Sequence, residues 1–540
     1  MKKFENEFTY RKFLENGNEN EFDELFDNAV GMVKGSLLGK EIPLVIGGKE
    51  VLTSEKLEEY SPIDRKTLIG RFQKASVDNV REAINAAYAA FDSWKKTNYM
   101  ERVRVLLTAA GLFSERKFEI SAILSIENGK TRYESIGEVD EAIDFLRYYA
   151  TEMERNKGFI RRASLDEAKK KAYAGFQGAP SEREKITIAM KPYGVFGVLS
   201  PFNFPISISV GMSTGALITG NTVVFKPSST DSMSMMTGYK IYEVFRDAGI
   251  PPGVFNYITG PGSVIGNELL SSDKVSGIVF TGSREVGMGM INRSYSEGKA
   301  KVFVVEMGGK NPVLVSKYAD LDEAASGIAG AAFGFDGQKC SAASRVYVHS
   351  SVKEAFEAKL LDRVRNFKAG DPLRKDVYLG PLINQRAFES YKSCVQRAKK
   401  EGRVIFGGNE INTGLGGFYV EPMVVEISHD NDLVHKELFL PFLTIIEYKD
   451  FDEALIMMND TEYGLTSGCY TKKKSEIKKY LDSIDAGVVY VNRRISATTG
   501  AMVGAHTFVG WKGSGLTGKG TGSRFYLQQF MREQSQAVVD

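Results

Sequence analysis

Cysteine is nearly absent from this chain: Cys340, Cys394 and Cys469 are its three copies in 540 residues. Three thiols cannot build a disulfide framework, which excludes the small stapled folds of secreted proteins and fits a reducing compartment. Histidine is scarce too. His349, His429, His435 and His506 are the four present, and none falls into HExxH or a His/Cys ligand spacing, so no metal is expected. Spacing alone does not exclude a Cys–His protease pair. No Walker A loop occurs, which removes P-loop nucleotide hydrolysis. Long apolar runs are missing as well. Residues 205–219 come closest, but Ser, Gly and Thr interrupt them, and a span needs about 18 apolar residues. No apolar stretch follows Lys2 and Lys3, so the start does not read as a signal peptide. Charge of one sign is not in excess: Lys and Arg total 70, Asp and Glu 68. That balance gives no reason to expect nucleic acid or a membrane surface as partner. A cytoplasmic protein is expected.

What is present is an ordinary globular composition, 43% hydrophobic and 26% charged. The length exceeds what one core of about 250–300 residues supports, so at least two domains are expected. PLVIGGKEV predicts a strand pair around Gly47 and Gly48. From residue 77 to 149 apolar residues recur at helical spacing. Residues 158–188 are polar and hold one or two strands, read either as a surface loop or as a hairpin reaching a partner chain. Short β-branched and aromatic runs then appear at 195–199, 222–225, 255–258 and 277–281, with helical stretches between them. This alternation predicts a parallel sheet with helices on both faces, the doubly wound α/β class, in which ligands lie beyond the carboxyl ends of the strands. A second α/β stretch runs from about 304 to 492. The final SRFYLQQFMREQSQAVV fits either a helix or a strand.

Several residues could carry chemistry. Cys340, in GQKCSAASR, has small neighbours that leave the sulfur accessible, and the adjacent Lys339 would favour the reactive thiolate. Glu306 ends an apolar strand before Gly308-Gly309, where partial burial would raise its pKa and suit it to act as a base on water. The amide of Asn203, in SPFNFP, can stabilise an oxyanion without titrating. Lys226 ends TVVFK, where a cation reaches a ribose or phosphate. Gly282 and Ser283, in TGSREVG, place free amides and a hydroxyl at a helix start, a good seat for pyrophosphate. Taken singly, each has a plainer reading. These are an inert core cysteine, a carboxylate capping amides, a turn asparagine, a snorkelling lysine and an ordinary helix cap. Cys394 and Cys469 receive only the plain one.

The joint order is more specific. SPFNFP, VVFKPSS, FTGSREVG, VVEMGGKNP, GQKCSAASR and KELFLPF follow one another along the chain, and together they resemble the aldehyde dehydrogenase superfamily from about residue 47 to 531. The resemblance implies a Rossmann-like cofactor domain (residues 1–157 and 189–303) and an α/β catalytic domain (304–492). It further implies a β-hairpin oligomerisation element from 158–188 and 515–540. The implied enzyme is a homo-oligomeric oxidoreductase using NAD, with NADP tolerated, on a small aldehyde. Cys340 would attack the carbonyl, Asn203 and the Cys340 amide would hold the oxyanion, hydride transfer would leave a thioester, and Glu306 would activate water to hydrolyse it. Lys226 would bind the adenosine ribose, Ser283 the pyrophosphate, and Glu437 and Phe439 the nicotinamide ribose region. Ser229 stands where NAD-selective relatives carry Glu, so neither cofactor is strongly repelled.

A narrower resemblance, to the 1-pyrroline-5-carboxylate (glutamate γ-semialdehyde) dehydrogenase family, rests on GKEIPLVIGGKEV, EAIDFLRYYA, GFDGQKCSAASR and NRR…TTGAMVGAHTF. It implies that Ser341, Gly500 and Ala501 hold the substrate's carboxylate, while Phe204 and Phe508 flank its aliphatic chain. The chain departs from that family in the extra residues of NRRISATTGAMVG, in AHTFVGWKGSG and in a longer 158–188 segment. Another short aldehyde or semialdehyde is the alternative substrate. Transfer of the acyl group to coenzyme A or phosphate is disfavoured by Glu306, a base needed only for water.

Overall fold

The computed structural model describes residues 4–163, 184–230, 232–494 and 502–539. Two seven-stranded sheets organise it. The first has the order Val302–Met307, Val275–Gly282, Val195–Leu199, Thr222–Lys226, Phe255–Tyr257, Leu44–Ile46, Lys49–Val51. Its first five strands are parallel, and the Gly47-Gly48 hairpin adds two antiparallel strands at the edge. The parallel strands VFGVL and TVVFK are buried at every position, as expected where helices cover both faces. The strand Val302–Met307 straddles the expected boundary at 303/304 and pairs along its whole length with Val275–Gly282 of this sheet.

The second sheet runs Arg403–Phe406, Met423–Glu426, Phe442–Tyr448, Ala343–His349, Asn311–Val315, Thr466–Tyr470, Val488–Val491. It is parallel except for its first strand. A third, three-stranded antiparallel sheet joins Met531–Val539 to Glu184–Pro192 and Ile160–Ala163. The ambiguous C-terminus therefore divides into a short 3₁₀ turn, Tyr526–Phe530, and a strand. The middle of the polar 158–188 segment lies outside the described residues. No described helix is long and apolar enough to cross a membrane.

Two helices matter most for the site. Ser207–Ile218 is buried around its whole circumference, and its small residues let neighbours approach: a Cβ on Gly215 would come within 2.6 Å of the Phe530 ring. Against it packs the 24-residue helix Arg132–Arg155, capped by Thr131. That helix buries Glu138, Asp140, Asp144 and Glu152 among its apolar residues.

Candidate active site

A cleft of about 800 Å³ opens beyond the carboxyl ends of the first sheet's strands. Ser200–Asn203 follow Val195–Leu199, Lys226 closes the next strand, Thr281–Ser283 end the third and Glu306–Gly308 the fourth, all of them on the cleft wall. This is where a doubly wound sheet binds ligands, because each strand end hands its loop and helix start to the same edge. Cys340, Glu437 and Phe439 face it from the second sheet's side.

Burial lowers the Lys226 ammonium to about 8. Its Nζ donates to the Pro227 carbonyl at 2.9 Å, leaving donors for a ligand. Ser283 caps the helix Arg284–Ser296 by accepting from the Val286 N–H at 3.3 Å, so the cleft meets the positive end of a helix. Gly282 and Ser283 both line it. Ser229 does not. Its neighbours Ser228 and Thr230 line the cleft, whereas its own buried hydroxyl donates to the Gly260 carbonyl at 2.8 Å and accepts from the Gly260 N–H at 3.2 Å. Strand alternation across Ser229–Thr230 turns it inward.

The Glu437 carboxylate is seated on the Gly308-Gly309 turn. Its Oε1 accepts from the Gly309 N–H at 2.8 Å, and a Cβ on Gly308 would fall 2.0 Å from Oε2. Only glycine admits the carboxylate there. Burial pushes this group up to about 7, against the pull of the Gly309 N–H and Lys310. Phe439 holds a left-handed φ of 59° and meets Phe202 edge-on at 5.9 Å.

A second, narrower cavity of about 100 Å³ lies behind the first. Phe145, Phe204, Phe508 and Tyr526 wall it, with Glu141 and Ser341 as polar groups. Phe204 lies beneath the buried Lys130, whose Nζ is 3.5 Å from the ring centroid. Lys130 in turn pairs with Glu138, whose Oε1 accepts from the N–H groups of Ile206 and Ser207 at 2.7 and 3.2 Å. This network fixes the aromatic wall. Cys340 and Glu306 line both cavities. They stand at the junction.

At the junction Asn311 Nδ2 donates to the Cys340 carbonyl at 2.8 Å, and the buried Asn203 donates to the Gln338 carbonyl at 3.2 Å. The Glu306 carboxyl is raised well above the usual range by burial, opposed by the Gly510 N–H, and its Oε2 has no hydrogen-bond partner among the described residues. The expectation that Lys339 favours the thiolate is corrected. Its ammonium pairs with Glu134 at 3.0 Å. Burial first, then the carboxylates of Glu437 and Glu306, push the Cys340 thiol up to about 12, with backbone N–H groups of Cys340 and Ser341 acting in the opposite sense.

Residues 51–535 match the aldehyde dehydrogenase family. The chain belongs to that family. Among the aldehyde dehydrogenases similar to it, 1-pyrroline-5-carboxylate dehydrogenase 1 of Halalkalibacterium halodurans is 38% identical over 505 residues, covering 92% of this chain and 93% of its own. The crystal structure of 1-pyrroline-5-carboxylate dehydrogenase from Thermus with bound NAD superposes with a TM-score of 0.90 at 33% identity, covering 100% of both chains. Proline utilization A from Bdellovibrio bacteriovorus superposes with a TM-score of 0.88 at 32% identity, and the match takes in 96% of this chain but 52% of that one.

In this aldehyde dehydrogenase the structure brings Cys340, Glu306, Asn203, Lys226, Gly282, Ser283, Glu437 and Phe439 to one cleft. Ser341, Phe204 and Phe508 meet at the inner cavity. Gly500 and Ala501 lie outside the described residues. Glu141 was not anticipated. Its signal is the spacing Glu138, Glu141, Asp144, an acidic row at helical period inside an otherwise apolar face. Burial raises the Glu141 carboxyl to about 7.

Proposed function

We propose that the chain oxidises L-glutamate γ-semialdehyde to L-glutamate, with NAD as hydride acceptor. One observation carries the reading: a nucleophile and a carboxyl group, Cys340 and Glu306, sit where a dinucleotide-sized cleft meets a small cavity with aromatic walls and a buried acid. The cleft's donor set suits a dinucleotide. Lys226 would hold the adenosine ribose and Ser283 the pyrophosphate, and Glu437, admitted by Gly308, would accept from the nicotinamide ribose hydroxyls. NAD, when bound, supplies a hydride acceptor beside Cys340. NADP is tolerated, since the residues after Lys226 that line the cleft, Ser228 and Thr230, are uncharged and neither repels a 2′-phosphate.

The chain's own groups do the rest. Cys340 loses its thiol proton to solvent as Sγ adds to the aldehyde carbonyl, and the oxyanion is held by the Asn203 amide and the Cys340 backbone N–H. Loss of hydride leaves a thioester on Cys340. Glu306 takes a proton from water as that water attacks the thioester carbon, and the thiolate departs with release of the acid. Glu306 suits this work because burial makes it a stronger base than an exposed carboxylate. In the inner cavity Phe204 and Phe508 flank the aliphatic chain, Ser341 holds the carboxylate and Glu141 meets the ammonium group; Gly500 and Ala501, outside the described residues, are the further carboxylate partners that the resemblance implies.

The first sheet serves as the cofactor domain and the second as the catalytic domain. The third sheet, whose strand Met531–Val539 is largely exposed, serves as the contact between copies in a homo-oligomer. The three free cysteines suit a reducing cytoplasm. Related curated proteins named for 1-pyrroline-5-carboxylate support the choice of aldehyde. The purified protein assayed against a panel of aldehydes tests it: glutamate γ-semialdehyde is expected to give the highest kcat/KM. A higher value for an aldehyde with neither carboxylate nor amine refutes the substrate and leaves the family standing.

A further inference from the structure

Apart from the residues that line the two cavities, the loop bearing His429 and the short helix Asp432–His435 meet Asp460, which caps the end of the helix Phe451–Asn459. One ring nitrogen of each histidine and a carboxylate oxygen of Asp460 lie within 4.8 Å of one another. The two imidazoles stack edge to face at 5.0 Å.

Hydrogen-bond directions identify the lone pairs. The Tyr347 hydroxyl has one proton and donates it to the Met457 carbonyl at 3.1 Å. Its oxygen accepts from Arg345 Nη1 at 3.1 Å. With that proton on the Met457 carbonyl, His429 Nδ1, 3.1 Å from the same oxygen, is the donor in that contact. In a neutral imidazole the other nitrogen then carries a lone pair. That nitrogen, Nε2, faces Asp460 Oδ2 at 3.1 Å. Two acceptors at this distance repel unless a cation joins them. His435 is arranged the same way: its Nε2 lies 2.8 Å from the His429 carbonyl, a group that only accepts, so Nε2 donates and Nδ1 keeps the lone pair. Each histidine thus ties one ring nitrogen to a protein oxygen and keeps a lone pair on the other, the arrangement of metal-ligating histidines. Arg345, the buried cation of this network, is engaged by the carbonyls of Lys310 and Met458 at 3.0 and 2.9 Å. Asp430 adds negative charge in the same loop, while Asp432 is paired with Lys436 at 2.8 Å.

We propose that His429, His435 and Asp460 form a binding site for a divalent transition-metal ion of the zinc, nickel or copper type. Two imidazoles and one carboxylate select this class over magnesium or calcium, which take oxygen donors. Water completes the coordination on the exposed Asp460 side. The ion cross-links Asp460 to the 429–435 segment, which ends two residues before Glu437, the cleft carboxylate.

Cobalt titration followed by visible absorption tests the site, using Cys340→Ser protein so that the accessible thiol does not compete. One equivalent of Co²⁺ is expected to give a d–d band without a thiolate charge-transfer band. His435→Gln and Asp460→Asn, each added to that background, are expected to weaken binding on the order of tenfold or more. Circular dichroism checks their folding. Where His435→Gln does not fold, the exposed Asp460→Asn carries the comparison. No stoichiometric band, or equal affinity after Asp460→Asn, overturns the proposal and leaves a neutral His429 donating its Nε2 proton to Asp460.

Discussion

The outer cleft and the inner cavity differ in how they are built. The outer cleft, about 800 Å³, is assembled from strand ends and the residues that directly follow them. Its chemistry is largely backbone: N–H groups at a helix start, a Gly-Gly turn under Glu437, and one lysine at the sheet edge. The inner cavity, about 100 Å³, is assembled from the flanks of two helices and a late loop, and its chemistry is side chain. A large dinucleotide can be held by many modest contacts spread over fixed backbone, whereas a small aldehyde must be told from its competitors by a few groups in a dry pocket. Cys340 and Glu306 belong to both.

Because they are shared, their loss should abolish turnover while leaving the two halves distinguishable. Cys340→Ala removes the only atom that can form the covalent intermediate, so kcat/KM is expected to fall by about four orders of magnitude or more. NAD affinity, measured by fluorescence titration, is expected to stay within about twofold, since the sulfur makes no contact that a dinucleotide requires. A parallel loss of NAD binding would mean that the cleft and the cavity are not separable. Glu306→Gln comes next. It keeps the nucleophile but removes the base for hydrolysis, so a rapid burst of reduced cofactor, one per active site, should precede steady turnover slowed by about 10²–10⁴. Equal slowing of the burst would place Glu306 in the first half-reaction instead.

The same contrast decides what could be read in the sequence. The cleft was legible because each of its parts is local: SPFNFP, KPSS, TGSREVG and EMGGK are consecutive residues at strand ends, and alternation of strands with helices placed them on one edge. Ser229 was misplaced because a two-residue strand inverts its side, a detail finer than the motif. The thiolate at Cys340 was misjudged because burial, the main cause of its raised pKa, and the charges around it depend on distance through space. Lys339, next in the chain, points to Glu134, while Glu306 and Glu437, remote in the chain, face the sulfur. Glu141 has no motif at all. It reaches the cavity because the helix Arg132–Arg155 packs flat on Ser207–Ile218, and only the acidic row along its buried face hinted at that. The third sheet shows a related limit: MREQSQAVV takes its strand conformation from pairing with Glu184–Pro192, more than 300 residues away in the chain.

Glu141→Gln sharpens the comparison on the inner side. The carboxyl, raised to about 7 by burial, is neutral below that pH and an anion above it. An anion attracts the substrate's ammonium group, so KM for the amino-acid aldehyde is expected to fall as pH rises through 7 in the native enzyme. In Glu141→Gln that dependence should flatten, and KM above pH 7 should rise about 10–100-fold, the value of a hydrogen bond to a charged group. KM for a simple aliphatic aldehyde and for NAD should hold still. If the aliphatic aldehyde suffers equally, Glu141 supports the wall of the cavity and does not read the substrate.

Ser229→Ala is the smallest expected effect and tests the outer side. Sequence position alone makes Ser229 the arbiter between NAD and NADP; the structure gives its hydroxyl to the Gly260 backbone, 2.8 Å from the carbonyl and 3.2 Å from the N–H. Removing it should cost about 1 kcal/mol of stability, seen as a lower midpoint of thermal or urea unfolding, because a buried carbonyl loses its donor. The ratio of kcat/KM for NAD to that for NADP should change by less than about twofold, since a hydroxyl turned away from the cleft contributes no binding energy to either cofactor. The opposite outcome is equally informative. A shift in that ratio with unchanged stability would require the Ser229–Thr230 strand to turn over when cofactor binds, bringing residue 229 to the wall and sending its neighbours inward. The cleft, so far distinguished from the cavity by its fixed backbone, would then share the cavity's dependence on side chains.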